Sequence, residues 1–224
     1  LNQKAKLENT NLLVGIPVQA KNQFFYYNAM LGLGEAKGRY YKRHLVPFGE
    51  YTPFMSILGN LLKIFHLPLA NMIDGPLQQK LITVNGDRVG ILICYEIAFA
   101  NIVRADLPAA NFLVAISDDA WFGKSFAPAQ HLQIAQFRAR QSGREMLFCA
   151  NNGITAIINA KGQITKALPQ FVRGVLSGEI HARSGVTPWI YYGNLPILAL
   201  LGILLLILIL FRSKQPSLNL KQPQ

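Results

Sequence analysis

Val89-Gly90-Ile91-Leu92-Ile93-Cys94-Tyr95-Glu96 is the stretch whose reading decides the fold. The run Val89 to Ile93 is apolar on both faces and follows Gly86-Asp87-Arg88, the pattern of a short strand buried on both sides. Such strands belong to layered α/β proteins, whose reactive groups gather at strand ends. Cys94 stands at that end. A cysteine closing an apolar strand is more often a small core residue than a nucleophile. Glu96 shifts that reading, because residues two apart in extended chain share a face. If the strand persists, Glu96 lies beside Cys94, and buried carboxylates are rare unless held for a purpose.

A thiol attacks as thiolate and needs a base or a fixed positive charge beside it. Lys42 is the candidate, in Tyr41-Lys42-Arg43-His44-Leu45-Val46-Pro47-Phe48-Gly49-Glu50-Tyr51. Lys42 and Glu50 flank a Pro-Phe-Gly turn that is able to return both to one cleft; the alternative is a pair of solvated surface charges. A lysine, a thiol and two carboxylates in apolar surroundings are what an acyl-transferring cysteine requires.

Working outward, strands are expected over Asn11–Val18, Phe24–Leu31 and Gly38–Leu45, with Gly32 to Gly38 as a turn. Phe112–Ser117 reads as another strand, and Pro128–Ser142 as a helix stopped by Gly143. Glu145–Ala150 and Ile154–Asn159 read as strands around Asn151-Asn152-Gly153, a hairpin signal, and Lys161-Gly162 marks a further turn. Cys149 is expected to be a buried strand residue. The segment Met55–His66, rich in Met55, Ile57, Leu58, Leu61, Leu62, Ile64 and Phe65, reads either as a membrane-dipping segment above the cleft or as a core helix. The four histidines, His44, His66, His131 and His181, have no metal-ligand spacing, so neither metal nor cofactor is expected and ordinary polar contacts suffice for all four.

Six motifs follow one another along the chain: Lys42-x-x-Leu-Val-Pro-Phe-Gly-Glu50-Tyr, Cys94-Tyr-Glu96, Asp119-Ala-Trp121-Phe-Gly, Pro128-x-Gln-His131, Asn151-Asn-Gly-Ile-Thr-Ala and Gly185-Val-Thr-Pro-Trp189. In order and spacing the chain resembles the apolipoprotein N-acyltransferase family, a membrane branch of the nitrilase (carbon-nitrogen hydrolase) superfamily. The resemblance implies an α-β-β-α sandwich and a Glu-Lys-Cys triad working by a ping-pong route through a thioester. It implies Cys94 as nucleophile, Lys42 as triad lysine, and Glu50 and Glu96 as further acids. It also implies Tyr95, Pro53 and Trp121 near the substrate, with the Tyr95 N–H and Lys42 forming an oxyanion hole. The partners implied are a phospholipid acyl donor, phosphatidylethanolamine in the first instance, and a diacylglyceryl apolipoprotein acceptor. The family's triad glutamate lies in a Pro-Glu segment upstream of the lysine. Neither Glu8 nor Glu35 fits it, so it is expected before residue 1, the chain being either the carboxy-terminal portion of a longer protein or the product of a truncated reading frame. The family commonly has Asn at Asp118, Glu at Gln141 and Arg at or near Phe148.

Composition agrees with a membrane setting. In 224 residues, 51% hydrophobic against 15% charged is too apolar for an ordinary soluble domain. The excess lies at Trp189–Phe211, which has no charge and is expected to be one transmembrane helix. Trp189, Tyr191 and Tyr192 form an aromatic belt at one end, and Arg212, Lys214 and Lys221 follow at the other. That order predicts a catalytic domain over 1–188, incomplete at its amino terminus and facing the periplasm of a bacterial inner membrane. The cytoplasmic tail is then 212–224, of disordered, Gln/Pro/Ser-rich composition. The net charge of +11 has no run of five or six like charges, which argues against a nucleic-acid arm. Two other functions fit parts of the pattern: a nitrilase-type amidohydrolase, which needs no membrane helix, and an inactive membrane-anchored remnant.

Overall fold

The computed structural model describes residues 1–21, 24–53 and 71–213. Met55–His66, the segment read as dipping into lipid, and all of the tail beyond Ser213 lie outside them. Strands β1 (Asn11–Gln19), β2 (Tyr26–Gly34) and β3 (Arg39–Tyr41) form an antiparallel sheet in that order. Strands β4 (Ile82–Val84), β5 (Asp87–Ile93), β6 (Phe112–Asp118), β7 (Met146–Asn151), β8 (Thr155–Ile158) and β9 (Ile164–Leu168) form a second sheet in chain order. In it β5, β6 and β7 run parallel and the outer pairs antiparallel. The helices are α1 (Asn2–Leu7), α2 (Ala100–Ala105), α3 (Ala127–Ser142), α4 (Pro188–Tyr192) and α5 (Leu195–Ser213).

The two-residue period of a strand sorts the side chains into two cores. Val89, Ile91 and Ile93 of β5, with Phe112 and Val114 of β6, pack between the sheets against Met30, Tyr40 and Ile82. Their neighbours Leu92, Leu113 and Ala115 face the other way, onto Ile102, Val103, Leu132, Ala135 and Ala139 of α2 and α3. Each buried Ile or Leu contributes about 1.5–3 kcal/mol. This is a nitrilase-like α/β layering, with α1 against β2 on the far side of the smaller sheet. Helix α3 starts with Pro128 in its first turn and stops at Gly143, whose φ of 62° takes the left-handed conformation that ends helices.

Several sequence expectations shift. The second strand runs on to Gly34, and the third is only Arg39–Tyr41. Strand β4 is an addition, paired to β5 across Asn85-Gly86, where φ values of 51° and 88° suit the two-residue hairpin that Asn-Gly favours. Strand β9 is also new, and it follows the expected Lys161-Gly162 turn. Cys149 is exposed, not buried. On β7 it faces the same way as Leu147, and it lines an open cavity of about 690 Å³ with Phe171 and Leu176.

The expected single span Trp189–Phe211 does not form. Gly193, with φ 61° and ψ −131°, ends α4, and a separate helix begins at Leu195. Among the described residues no helix is long and apolar enough to cross a membrane. The uncharged part of α5, Leu195 to Phe211, rises about 25 Å at ~1.5 Å per residue, short of a hydrocarbon core of ~30 Å.

Residues 169–187 have no regular structure and are fastened to β7 through Glu145. Its Oε2 accepts the His181 backbone N–H at 2.9 Å, and Oε1 accepts from Arg183 Nη2 at 2.9 Å and Nε at 3.2 Å. Partial burial raises this carboxyl, but the His181 N–H and the Arg183 guanidinium outweigh it and hold the group below the usual carboxylate range. A depressed folded-state value contributes stability that is present above 4.5 and lost as the pH falls through it. Thermal melts of the parent are therefore expected to drop from neutral pH to acid by more than those of Glu145→Gln; parallel drops would remove Glu145 from the acid response.

Candidate active site

Strand β5 ends at Ile93, and the chain turns at once into a 3₁₀ helix over Cys94–Ala98. Cys94 has φ 54°, the left-handed region that costs a non-glycine residue ~1–2 kcal/mol. The turn corrects the expectation that Glu96 sits beside Cys94 on a continuing strand. Glu96 instead points inward and is fully buried, 0% exposed. Its Oε2 accepts the Ile93 N–H at 2.8 Å, reaching back across the turn as an acid in a helix's first turn does. Its Oε1 accepts from Tyr40 Oη at 2.9 Å and from the backbone N–H groups of Arg43 at 2.6 Å and His44 at 3.1 Å. Burial pushes the Glu96 carboxyl up, and these donors offset only part of that rise. Tyr40 is pushed far up by burial and by the Glu96 charge.

These bonds bring the lysine segment to the cysteine turn. Lys42, next to Arg43, is 1% exposed, so the alternative of a solvated charge is excluded. Its Nζ lies 2.8 Å from Glu50 Oε1 and 2.7 Å from Oε2. The turn expected between them closes on Glu50, whose Oε2 accepts the Val46 N–H at 2.8 Å and whose Oε1 accepts from Asn28 Nδ2 at 2.9 Å. Arg43 makes a buried ion pair with Asp106 at 2.7 Å and lies over the Tyr40 ring. Thus Lys42 is tied to Glu50 through their side chains, and the backbone next to Lys42 is tied to Glu96, two residues after Cys94. Tyr95 is half exposed and stacks edge-on to Phe99 beside His44. Trp121 is 88% exposed in a short 3₁₀ turn, and Pro53 is partly buried. Among the described residues no hydrogen bond or ring contact joins either of these two to the cluster.

Two residues that the sequence placed in motifs without a role at the site are Asp119 and His131. Asp119, just past the end of β6, is 0% exposed. Its Oδ1 accepts from Ser117 Oγ at 2.6 Å and lies 3.2 Å from His131 Nδ1 on α3. Gly153 presses on Oδ2, and a Cβ there would collide with it, which accounts for glycine in the Asn-Asn-Gly motif. His131 Nε2 is 3.2 Å from the Cys94 carbonyl oxygen. Asp119 repeats the placement of Cys94, at the end of an apolar parallel strand, and that repetition is the signal available in sequence. Two turns along α3, Arg138 donates to Ile97 O at 2.8 Å and Ala98 O at 2.6 Å, and it lies over Trp189. Thr187 caps α4 and donates to Gln141 O at 2.6 Å. Gln141, where a Glu was expected, accepts from Arg138 Nη1 at 2.8 Å. Asp118 accepts the Ala120 N–H at 3.1 Å.

The carbon-nitrogen hydrolase family model matches residues 1–191, most of the chain. The chain belongs to that family. As a carbon-nitrogen hydrolase it is similar to proteins named apolipoprotein N-acyltransferase. It is 39% identical over 220 residues to that of Pseudomonas aeruginosa, covering 97% of this chain and 43% of the relative. To that of Azotobacter vinelandii it is 41% identical over 208 residues, covering 92% and 40%, and to that of Nitrosomonas europaea 39% identical over 207 residues, covering 92% and 42%. It thus spans about two fifths of the length of these relatives. In fold the carbon-nitrogen hydrolase chain resembles the carbon-nitrogen hydrolase of Helicobacter pylori G27, with a TM-score of 0.58 at 15% identity over 75% of this chain and 61% of that one. An amidase from Nesterenkonia sp. gives 0.54 at 16% identity over 76% and 61%.

Since Glu96 satisfies four buried donors from two parts of the chain, Glu96→Gln, which sets an amide N–H against the Ile93 N–H, is expected to cost about 1–3 kcal/mol. Glu96→Ala is expected to cost more. Thermal denaturation measures both, and an unchanged melting temperature would show that the carboxylate does not tie the turn.

Proposed function

We propose that this chain carries out the acyl transfer of lipoprotein maturation, with Cys94 as nucleophile. The Cys94 thiolate attacks the ester carbonyl of a phospholipid, phosphatidylethanolamine being the donor of choice. The C–S bond forms, the C–O bond breaks, and the lysophospholipid leaves with a proton. The α-amine of a diacylglyceryl-cysteine then attacks the thioester; the C–N bond forms, the C–S bond breaks, the amine gives up a proton and the thiol is restored. An amide is more stable than a thioester, so the second step runs downhill.

The observation that carries this reading is the buried Lys42–Glu50 pair docked, through Glu96, against a strained cysteine turn. In it Lys42 and the Tyr95 N–H, one of the first donors of the 3₁₀ turn and so without a partner inside it, stabilise the tetrahedral oxyanion. Glu50 positions Lys42, and Glu96 positions the turn. Tyr95, Pro53 and Trp121 line the approach of the lipid substrates. The general base is assigned to neither Glu50 nor Glu96, whose oxygens are committed to other donors.

Helix α5 supports the lipid setting. From Ile197 to Phe211 its Leu, Ile and Phe side chains are exposed on every side, and an all-round apolar helix is stable only in a protein core or in lipid. We place it in the apolar part of a bacterial inner membrane. In sequence the aromatic Tyr191 and Tyr192 precede α5 and the basic Arg212, Lys214 and Lys221 follow its apolar part, an order of aromatics and charge that favours a domain on the periplasmic face.

The test is mass spectrometry of Cys94 after incubating membranes that carry the protein with fluorescent phosphatidylethanolamine. An acyl adduct is expected on the parent, none on Cys94→Ala, and on Lys42→Met a rate about 10²–10³-fold lower, the cost of losing an oxyanion donor. No adduct from any phospholipid would sink the reading.

A further inference from the structure

His131 and Asp119 have no part in the steps just written, yet His131 is held against the nucleophile's own backbone and Asp119 against His131. The Cys94 carbonyl and the Tyr95 N–H belong to one planar peptide unit and point in opposite directions. Whatever fixes the carbonyl therefore aims the N–H. His131 Nε2 sits 3.2 Å from that carbonyl, which only accepts, so Nε2 carries the hydrogen of the contact. The far side of the ring is fixed too. Nδ1 meets Asp119 Oδ1 at 3.2 Å, and Asp119 is in turn held by Ser117 Oγ and walled in by Gly153. The Phe148 ring lies edge-on to the imidazole at 5.2 Å between centroids.

We propose that Asp119 and His131 form a positioning relay that orients the Cys94–Tyr95 peptide, aiming the Tyr95 N–H at the oxyanion of the acyl-transfer step. This rests on the acyl-transfer reading above. Donation to a peptide carbonyl also polarises the N–H at the other end of that peptide, making it the stronger donor. The relay therefore acts on the tetrahedral intermediate and not on the thiol.

That distinction is measurable, because alkylation of a thiolate by iodoacetamide passes through no oxyanion while acylation by p-nitrophenyl butyrate does. In the full-length protein, glutamine at 131 keeps a donor near the place of Nε2, whereas asparagine reaches only as far as Nδ1. His131→Asn is expected to slow Cys94 acylation, read as the nitrophenolate burst, by about 10–100-fold, less than the ~10²–10³-fold cost of removing an oxyanion donor outright, because the Tyr95 N–H is misaimed and not lost. Alkylation is expected to stay close to the parent rate, and His131→Gln to recover most of the acylation rate. Asp119→Asn, which loosens the ring without removing the donor, is expected to fall between and serves if His131→Asn does not fold. Equal losses in Asn and Gln, alkylation falling in step with acylation, or no change in either variant would each overturn the relay. A parent that is alkylated but never acylated overturns the relay and the acyl-transfer reading together. A parent acylated by the nitrophenyl ester and not by phospholipid overturns the lipid reading alone.

Discussion

The buried carboxylate of Glu96 is the constraint on which the site depends. It takes its donors from Ile93 at the end of the large sheet and from Tyr40, Arg43 and His44 at the end of the small one. Van der Waals packing between the sheets at Met30, Val89 and Ile91 is able to slide by fractions of an ångström at little cost. Hydrogen bonds to one carboxylate are not, since each lost donor is left buried and unpaired. The distance between the lysine segment and the cysteine turn is therefore set by polar geometry, while the apolar core supplies the free energy that keeps water out.

Helix α3 holds the same turn from the opposite face. His131 and Arg138 are seven residues apart, two helical turns, so they point the same way. One meets the first carbonyl of the 3₁₀ turn and the other meets two near its end. Burial lowers Arg138 from its ordinary value, although a guanidinium stays charged at any pH at which the fold exists. Thr187 and Trp189 close the assembly by joining α4 to the carboxy-terminal end of α3. The Gly-Val-Thr-Pro-Trp motif is thus a fastening of the helix that fastens the turn, at one remove from the reacting atoms.

Much of this was legible before any coordinates. The apolar strands Val89–Ile93 and Phe112–Ser117 follow from two-sided burial in a parallel arrangement, and α3 follows from its proline start and glycine stop. The lysine, the thiol and the two acids were identified because charged groups in apolar sequence need partners. What the sequence hid depends on tertiary contact. The sense in which Glu96 points reverses once Cys94 adopts a positive φ, and no local pattern announces a left-handed cysteine. The pairing of Asp119 with His131 links a strand end to a helix across the sheet, and neither residue has a partner at a telling spacing. The break falls at Gly193-Asn194, with Pro196 beyond, turn-forming residues inside a run without charge, and the lack of charge alone does not report where such a run bends. Cys149 is exposed although it shares its face of β7 with Leu147, and alternation along one strand does not report what covers that face.

The strain at Cys94 then acquires a physical account. A glycine would take this φ freely, but it has no thiol, so a cysteine must be held there at a cost of ~1–2 kcal/mol. The Ile93 N–H, one peptide further back, donates to Glu96, the Cys94 carbonyl receives from His131, and the following turn is gripped by Arg138. Each such bond to a charged or buried group contributes about 1–3 kcal/mol, enough together to outweigh the strain. The bonds that make the left-handed cysteine tolerable are the same ones that fix the direction of the peptide next to it. Stability and aim are therefore not separable at this turn. A substitution that relaxed the backbone would release the Tyr95 N–H from its direction in the same movement, which explains why a strained turn, and not a relaxed one, carries the nucleophile.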